Sequence, residues 1–187
     1  MKHKIKHRYT YNVLFECELP DSTPSGVATR HALEKAVSAG ASLAGANLYG
    51  ANLYGASLAG ASLDGANIAG ANLDRANLDM ANLDRASLDG ASLDGASLAG
   101  ASLAGASLYG KKLIGNRPIF MIGPIGSRCS YFTSYITDAG IMLRAGCFFG
   151  PIDEFKSKLI EEHGENDHRK EYEAALTLIE CHHQIWK

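Results

Sequence analysis

Between Ala41 and Gly110 the apolar and polar positions repeat every five residues: Ala, then Ser or Asn, then Leu, then a variable residue, then in most units Gly. Fourteen consecutive units keep the first three positions, with Ile68 the one replacement of Leu. A fifteenth, Lys111-Lys112-Leu113-Ile114-Gly115, keeps only Leu113 and Gly115. On an α-helix five residues advance by about 500°, so successive leucines would lie about 140° apart and form no stripe. On a flat strand they would alternate between faces. Glycine at every fifth position would also cost a helix about 1 kcal/mol each. One geometry puts every Leu inside: each quintet is one side of a square coil, and four quintets close a turn that stacks on the next at about 4.8 Å. Leu and the first-position Ala then point inward. The fourth and fifth positions form a corner, where a type II turn needs φ > 0 at its second central residue and Gly supplies it. Arg75, Met80 and Arg85 stand at that position without being Gly, which predicts a different turn type there.

An open-ended coil needs caps, because its ends expose leucines and unpaired backbone groups. Residues 1–40 supply one. Lys2, Lys4, Lys6 and Arg8 alternate with His3, Ile5, His7 and Tyr9, which is strand periodicity with one basic face. Tyr11-Asn12 turns the chain into a second strand, Val13 to Leu19. Thr23 as N-cap and Pro24 at the first helical position open a helix that ends at Gly40. Residues 116–187 read as a small α+β module. Its strands are Ile119–Ile122, Tyr131–Thr137 and Ile141–Arg144, with Asp138-Ala139-Gly140 as the turn between the last two. A helix begins after Gly150-Pro151, and a second, capped by Asn166, carries the stripe Tyr172, Leu176, Ile179, His183 and Trp186.

Charge is unevenly placed along the 187 residues. The formal net charge is −2, yet residues 1–40 carry +2, residues 41–110 carry −4 and residues 111–187 balance to 0. That excludes a bulk basic footprint for nucleic acid. No apolar stretch approaches the roughly 20 residues that span a bilayer, so no membrane association is expected. The cationic start is followed only by Val13-Leu14-Phe15, which does not make a signal peptide. Cys17, Cys129, Cys147 and Cys181 form no CxxC pair and read as reduced thiols of a cytoplasmic protein.

The quintet Ala-(Ser/Asn)-Leu-x-Gly resembles the unit of pentapeptide repeat proteins, whose pattern is Ala-(Asp/Asn)-Leu-x-x. The resemblance covers residues 41–115 and implies a mainly β fold, a right-handed quadrilateral β-helix of about 3.5 coils, here roughly 17 Å long. The departure is at the second position, which holds eight Ser, six Asn and one Lys but no Asp. The flanks resemble those of short bacteriophage and prophage pentapeptide-repeat proteins, on the stretches Lys4-Ile5-Lys6-His7-Arg8-Tyr9-Thr10, Ile122-Gly123-Pro124-Ile125-Gly126-Ser127-Arg128 and Gly146-Cys147-Phe148-Phe149-Gly150. That implies a phage accessory protein in a bacterial host cell and brings no catalytic residues.

The candidate interaction surface is a belt of fourth-position acids, Asp64, Asp74, Asp79, Asp84, Asp89 and Asp94. The fourth-position Tyr49, Tyr54 and Tyr109 and Ile114 lie near the coil ends, where the tyrosines are expected to pack under the flanking segments. Some relatives of the family mimic B-DNA and antagonise gyrase. A 17 Å mimic should carry about ten negative charges at one per 1.7 Å, and six Asp offset by Arg75 and Arg85 fall short. Arg117, Arg128 and Arg144 with nearby backbone form a candidate site for a small nucleotide or other anion. Cys147, between Gly146 and Phe148-Phe149, reads as core rather than nucleophile. His163, His168, Cys181, His182 and His183 are the best metal ligands on offer, but adjacent His182 and His183 diverge by about 100° on a helix, and no metal or cofactor is expected. No catalytic constellation emerges. The expected function is therefore non-enzymatic binding of a bacterial host protein, with self-association considered, a small-anion binder and a DNA mimic as alternatives, and direct nucleic-acid binding disfavoured.

Overall fold

In the computed structural model, which describes residues 1–127 and 129–187, the five-residue period becomes a twenty-residue one. Parallel bridges join Ser42, Ser62, Asn82 and Ser102 in one column and Asn47, Asn67, Ser87 and Ser107 in the next. Asn52, Asn72 and Ser92 form a third column, and Ser57, Asn77 and Ser97 a fourth. Four columns mean four faces to a coil. The middle coils repeat one hydrogen-bond pattern. Leu53 N–H donates to the Asn72 carbonyl one coil on (2.8 Å), Gly55 N–H to the Asp74 carbonyl (2.8 Å), and Asn72 N–H back to the Ala51 carbonyl (3.0 Å). Every third-position side chain from Leu43 to Leu93 is 2 % exposed or less, so the leucines fill the tube. Each full burial contributes about 2 kcal/mol. First-position alanines such as Ala56, Ala66 and Ala76 are equally buried, because the bore has no room for a second large side chain per quintet.

The corners correct one expectation. Ala46 N–H closes a turn on the Leu43 carbonyl (2.9 Å), with Gly45 at φ +69°. Arg75, Met80 and Arg85 adopt the same conformation, at φ 59°, 59° and 56°, rather than another turn type. Their corners close the same bonds, from Ala76 to Leu73, Ala81 to Leu78 and Ala86 to Leu83. The coil on the far side holds each corner as well, since Arg75, Met80 and Arg85 N–H donate to the carbonyls of Asp94, Ala99 and Ala104. A different turn would break these bonds, and keeping them costs about 1 kcal/mol of left-handed strain per residue. The departure falls at the end of the run, where Tyr109 (φ 51°) precedes Gly110 (φ 71°), two successive positive values of the kind found in primed turns.

The N-terminal residues and the coil form one compact unit, Met1–Lys111. Strands β1 (Lys2–Lys6) and β2 (Val13–Glu18) make an antiparallel hairpin. Lys4 and Lys2 pair with Glu16 at 3.0 and 3.3 Å, and their ammonium groups, Lys4 first, hold its carboxyl below the usual carboxylate range. Helix α1 (Ser25–Ser38) buries Ala28, Ala32, Leu33 and Ala36. Its N-cap is Pro24, with no side-chain bond. The expected cap, Thr23, instead closes a turn by donating its N–H to the Pro20 carbonyl. The hairpin and helix satisfy the orphan groups of the first coil. Asn47 N–H donates to the Lys6 carbonyl (2.8 Å) and Arg8 N–H to the Gly45 carbonyl (2.7 Å). Glu34 Oε1 accepts Ser57 N–H (3.0 Å), and Arg30 donates to the Tyr54 carbonyl (2.9 Å).

The second unit, Lys112–Lys187, is a four-stranded antiparallel meander, β3 (Ile119–Ile125), β4 (Ser130–Thr137), β5 (Gly140–Ala145) and β6 (Phe148–Pro151), followed by α2 (Ile152–His163) and α3 (Asp167–Trp186). Residues 112–115, read from the sequence as the last quintet, group with this unit, and Leu113 bridges to Thr137. Strand β6 was not expected from the sequence. Phe132, Leu143, Phe155, Leu159, Tyr172 and Leu176 lead the core. Asn166 caps α3 by accepting Arg169 N–H (3.0 Å). The buried histidine of α3 is His182, not His183, because its ring stacks on Phe120 at 4.5 Å and Nε2 meets the Arg117 carbonyl at 2.8 Å.

A pair of corner substitutions separates backbone strain from packing. A Cβ on Gly70 (φ +67°) would touch nothing within 4 Å, so Gly70→Ala is expected to cost about 1 kcal/mol through backbone conformation alone. Met80→Gly removes that strain and is expected to stabilise by about 0.5 kcal/mol, part of the gain being offset by a freer unfolded chain. Thermal unfolding followed by circular dichroism checks both, and the opposite order would contradict the shared corner geometry.

Candidate interaction surface on the repeat coil

The second position of each quintet decides how the corner amide is satisfied. An Asn side chain reaches the N–H two residues on: Asn72 Oδ1 accepts from Asp74 (2.9 Å), Asn77 from Asp79 (2.9 Å) and Asn82 from Asp84 (3.0 Å). This is the Asx turn. Serine is shorter, and Ser42 Oγ lies 3.5 Å from Ala44 N. From Ser87 onward every second position is Ser up to Ser107, and from Ser92 a carboxylate of the coil before takes over. Asp74 Oδ1 accepts Asp94 N–H (2.9 Å), Asp79 accepts Ala99 N–H (3.0 Å), Asp84 accepts Ala104 N–H (2.9 Å) and Asp89 accepts Gly110 N–H (2.8 Å). The hydroxyls of Ser92, Ser97, Ser102 and Ser107 donate to the same four carboxylates. Asp64 instead forms a two-pronged pair with Arg85, with Nε to Oδ1 at 3.0 Å. Hydrogen bonding and charge from Asp64 raise the Arg85 guanidinium above its ordinary pKa. All six belt aspartates are half-buried, and five of them tie one coil to the next. The sequence carried the signal as Asp followed by Ser eighteen residues later, which tabulating single columns does not reveal.

The side chains that do stand clear are larger. Tyr49 is 73 % exposed and Tyr54 43 %, and Tyr109 is exposed as well, so these outward tyrosines do not pack under the flanking segments as the sequence suggested. The Arg75 guanidinium lies 5.8 Å from the centre of the Tyr54 ring. Met80 is 72 % exposed. Ser57, Asn77 and Ser97 stand in register on the face between the corner that carries Tyr54 and Arg75 and the corner that carries Met80. The result is a flat polar face edged by an aromatic ring, a guanidinium and a thioether.

Residues 40–79 and 81–115 match the family model for pentapeptide repeats, in eight copies. Over these residues the chain is similar to pentapeptide-repeat proteins. Pentapeptide-repeat relatives imply a β-helix, in keeping with the four-column stacking. Among solved structures, a pentapeptide repeat protein from the cyanobacterium Cyanothece is 43 % identical over 33 % of this chain and 40 % of its own, with a TM-score of 0.30. One from the Arabidopsis thaliana thylakoid lumen is 37 % identical over 33 % of this chain and 46 % of its own, with a TM-score of 0.27. The chain thus spans less than half the length of either. No curated protein matches it.

Outside the pentapeptide repeats, the second unit holds the other candidates. Arg128 lies outside the described residues. Arg117 sits 4.9 Å over the Trp186 ring. Arg144 is on β5, opposite Thr133 and Phe149, in the row that also holds Met121 of β3. Arg117 is four residues from that row, about 13 Å along the strand direction, so these two arginines do not converge. Cys147 is exposed rather than core, since Gly146-Cys147 is the turn between β5 and β6. With His163, Lys158 and Tyr172 it lines a cleft of about 100 Å³, below the roughly 300 Å³ at which small-molecule pockets begin. The rings of His163 and His168 are 6.1 Å apart, while His182 is taken up by Phe120 and Arg117. Among the described residues no group of three or more His, Cys, Asp or Glu is placed to hold a metal, no disulfide joins the cysteines, and no helix is long and apolar enough to cross a membrane.

The aspartate ladder makes a measurable claim. Asp79→Ala removes the acceptor of both the Ser97 hydroxyl and the Ala99 N–H and is expected to cost about 1 kcal/mol in urea unfolding. Asp64→Ala, which loses only the exposed pair with Arg85, should cost clearly less. Equal effects would mean that the Asp79 carboxylate does not bind the next coil.

Proposed function

We propose that the chain is a non-enzymatic protein-interaction module, a phage accessory protein that binds or inhibits a protein of the bacterial host in its cytoplasm. The observation that carries this reading is Met80. A large apolar side chain sits 72 % exposed at a left-handed corner where Gly would avoid about 1 kcal/mol of strain. Nothing in the coil's hydrogen bonding needs a side chain there. Strain kept at an exposed site is a reason to look for a role in binding. Tyr54 and Arg75 on the next corner supply the residue types that dominate binding energy at protein interfaces, and the face between them is flat, as a protein partner requires. The phage origin and host partner rest on the resemblance of the flanks. A DNA mimic has less support, because five of the six aspartates are engaged within the coil and cannot act as free phosphate analogues. A small-anion binder has less support because Arg117 and Arg144 stand apart.

The test is affinity capture from bacterial lysate with the wild-type chain and with the Tyr54→Ala/Met80→Gly double variant. A host protein retained by the wild type and lost with the variant is expected. The same proteins retained by both would remove this face from the account. Circular dichroism of the double variant, expected to match the wild type, separates lost binding from lost fold.

A further inference from the structure

Between helix α1 and the loop that enters it from β2 lies a groove of about 680 Å³, within the roughly 300–1,000 Å³ typical of small-molecule sites. His31, Glu34, Lys35 and Ser38 line it from the helix, where spacings of three and four residues put them on one face. Leu19, Pro20 and Thr23 line it from the loop. Both walls are fixed by the protein's own bonds. Leu19 is buried, its N–H donates to the Met1 carbonyl (2.9 Å) and its carbonyl accepts the Met1 amino group (2.7 Å). On the helix, Glu34 Oε1 accepts Arg30 Nε (3.1 Å) as well as Ser57 N–H, and Oε2 lies 3.5 Å from His31 Nδ1. Lys35 Nζ donates to the Glu18 carbonyl (2.9 Å) and so links the helix to the strand end.

We propose that this groove binds a small aliphatic carboxylate, with Lys35 holding the head group and Leu19, Pro20 and Ala39 covering the apolar body. Charge selects the head group. The acids beside the groove are already engaged: Glu34 by Arg30, Ser57 and His31, and Asp21 by the Met1 amino group. Lys35 differs, because its ammonium is bonded to the neutral Glu18 carbonyl rather than to a carboxylate. An ammonium has three donors, so that bond positions the group and leaves two protons for a ligand anion. A charge-assisted bond of this kind is about twice as strong as a neutral one. One cation set among apolar side chains fits a monoanion with an apolar body better than a bare or multiply charged oxyanion. The site lies on the N-terminal cap and does not depend on the coil face proposed for a protein partner.

Titration of the full chain with hexanoate, followed by amide resonances in two-dimensional NMR, tests the site. Saturable shifts at Leu19, Thr23, His31 and Lys35 are expected, with a dissociation constant of about 1 mM for so small a ligand. Two controls separate the parts of the ligand. 1-Hexanol lacks the charge and inorganic phosphate lacks the apolar body, and each is expected to bind at least about tenfold more weakly. Lys35→Met keeps an apolar stem without the ammonium and should weaken hexanoate about tenfold. Ala39→Glu sets a carboxylate in the apolar wall and should abolish binding. Both positions are exposed, so circular dichroism should match the wild type. No saturable shift at these residues up to about 20 mM, about twenty times the expected constant, overturns the proposal. So does hexanol or phosphate binding as tightly as hexanoate, or hexanoate binding that is indifferent to Lys35→Met.

Discussion

The hydrogen bond between one coil and the next, made at a spacing of twenty residues, governs everything else in the repeat. It fixes the rise of the tube at strand spacing, about 4.8 Å, and so brings one Leu from each of four faces into a bore that narrow. Ala at the first position follows, since a larger residue would meet its neighbours. The left-handed fifth residue follows too, because the chain must turn a corner without giving up amide partners on either side. Arg75, Met80 and Arg85 show the strength of the constraint: the ladder imposes its corner on residues that would otherwise avoid it.

The same requirement explains the polar positions. A corner amide left without an acceptor costs stability, and the chain satisfies it in two ways. Where the quintet carries Asn at its second position, as in the run from Asn67 to Asn82, that side chain does so. In the quintets of Ser92, Ser97 and Ser102 an aspartate twenty residues before the corner accepts the amide and the serine hydroxyl together. Charge that looks like a display for a partner is therefore largely part of the scaffold. What is left for recognition is the smaller set of side chains the ladder does not use, Tyr49, Tyr54, Arg75 and Met80.

The coil was legible because its rule is periodic. Leu73 and Ala76 could be placed inside from spacing alone, and the first three strands and both helices of the second unit followed from alternation and from Pro151 and Asn166. Three kinds of feature were not legible. Single long-range contacts leave no period, so Glu34 as the acceptor for Ser57 N–H went unseen. The choice between adjacent residues on one helix face depends on the opposing surface, and Phe120 selects His182 over His183. The exposure of Tyr49 and Cys147 depends on where flanking chain passes, which local pattern does not encode. Thr23 is a related case: Thr-Pro reads as a cap and first turn, yet the turn on Pro20 claims its amide.

Native-state hydrogen exchange tests the ladder most directly. If successive coils are bonded as described, the amides of Asn67, Asn72, Asn77 and Asn82, together with those of Leu53, Leu58, Leu63 and Ile68, should exchange slowly and through one cooperative opening. Rapid exchange at these positions, or protection that ignores the twenty-residue spacing, would contradict the stacked coil and with it the account of the surface.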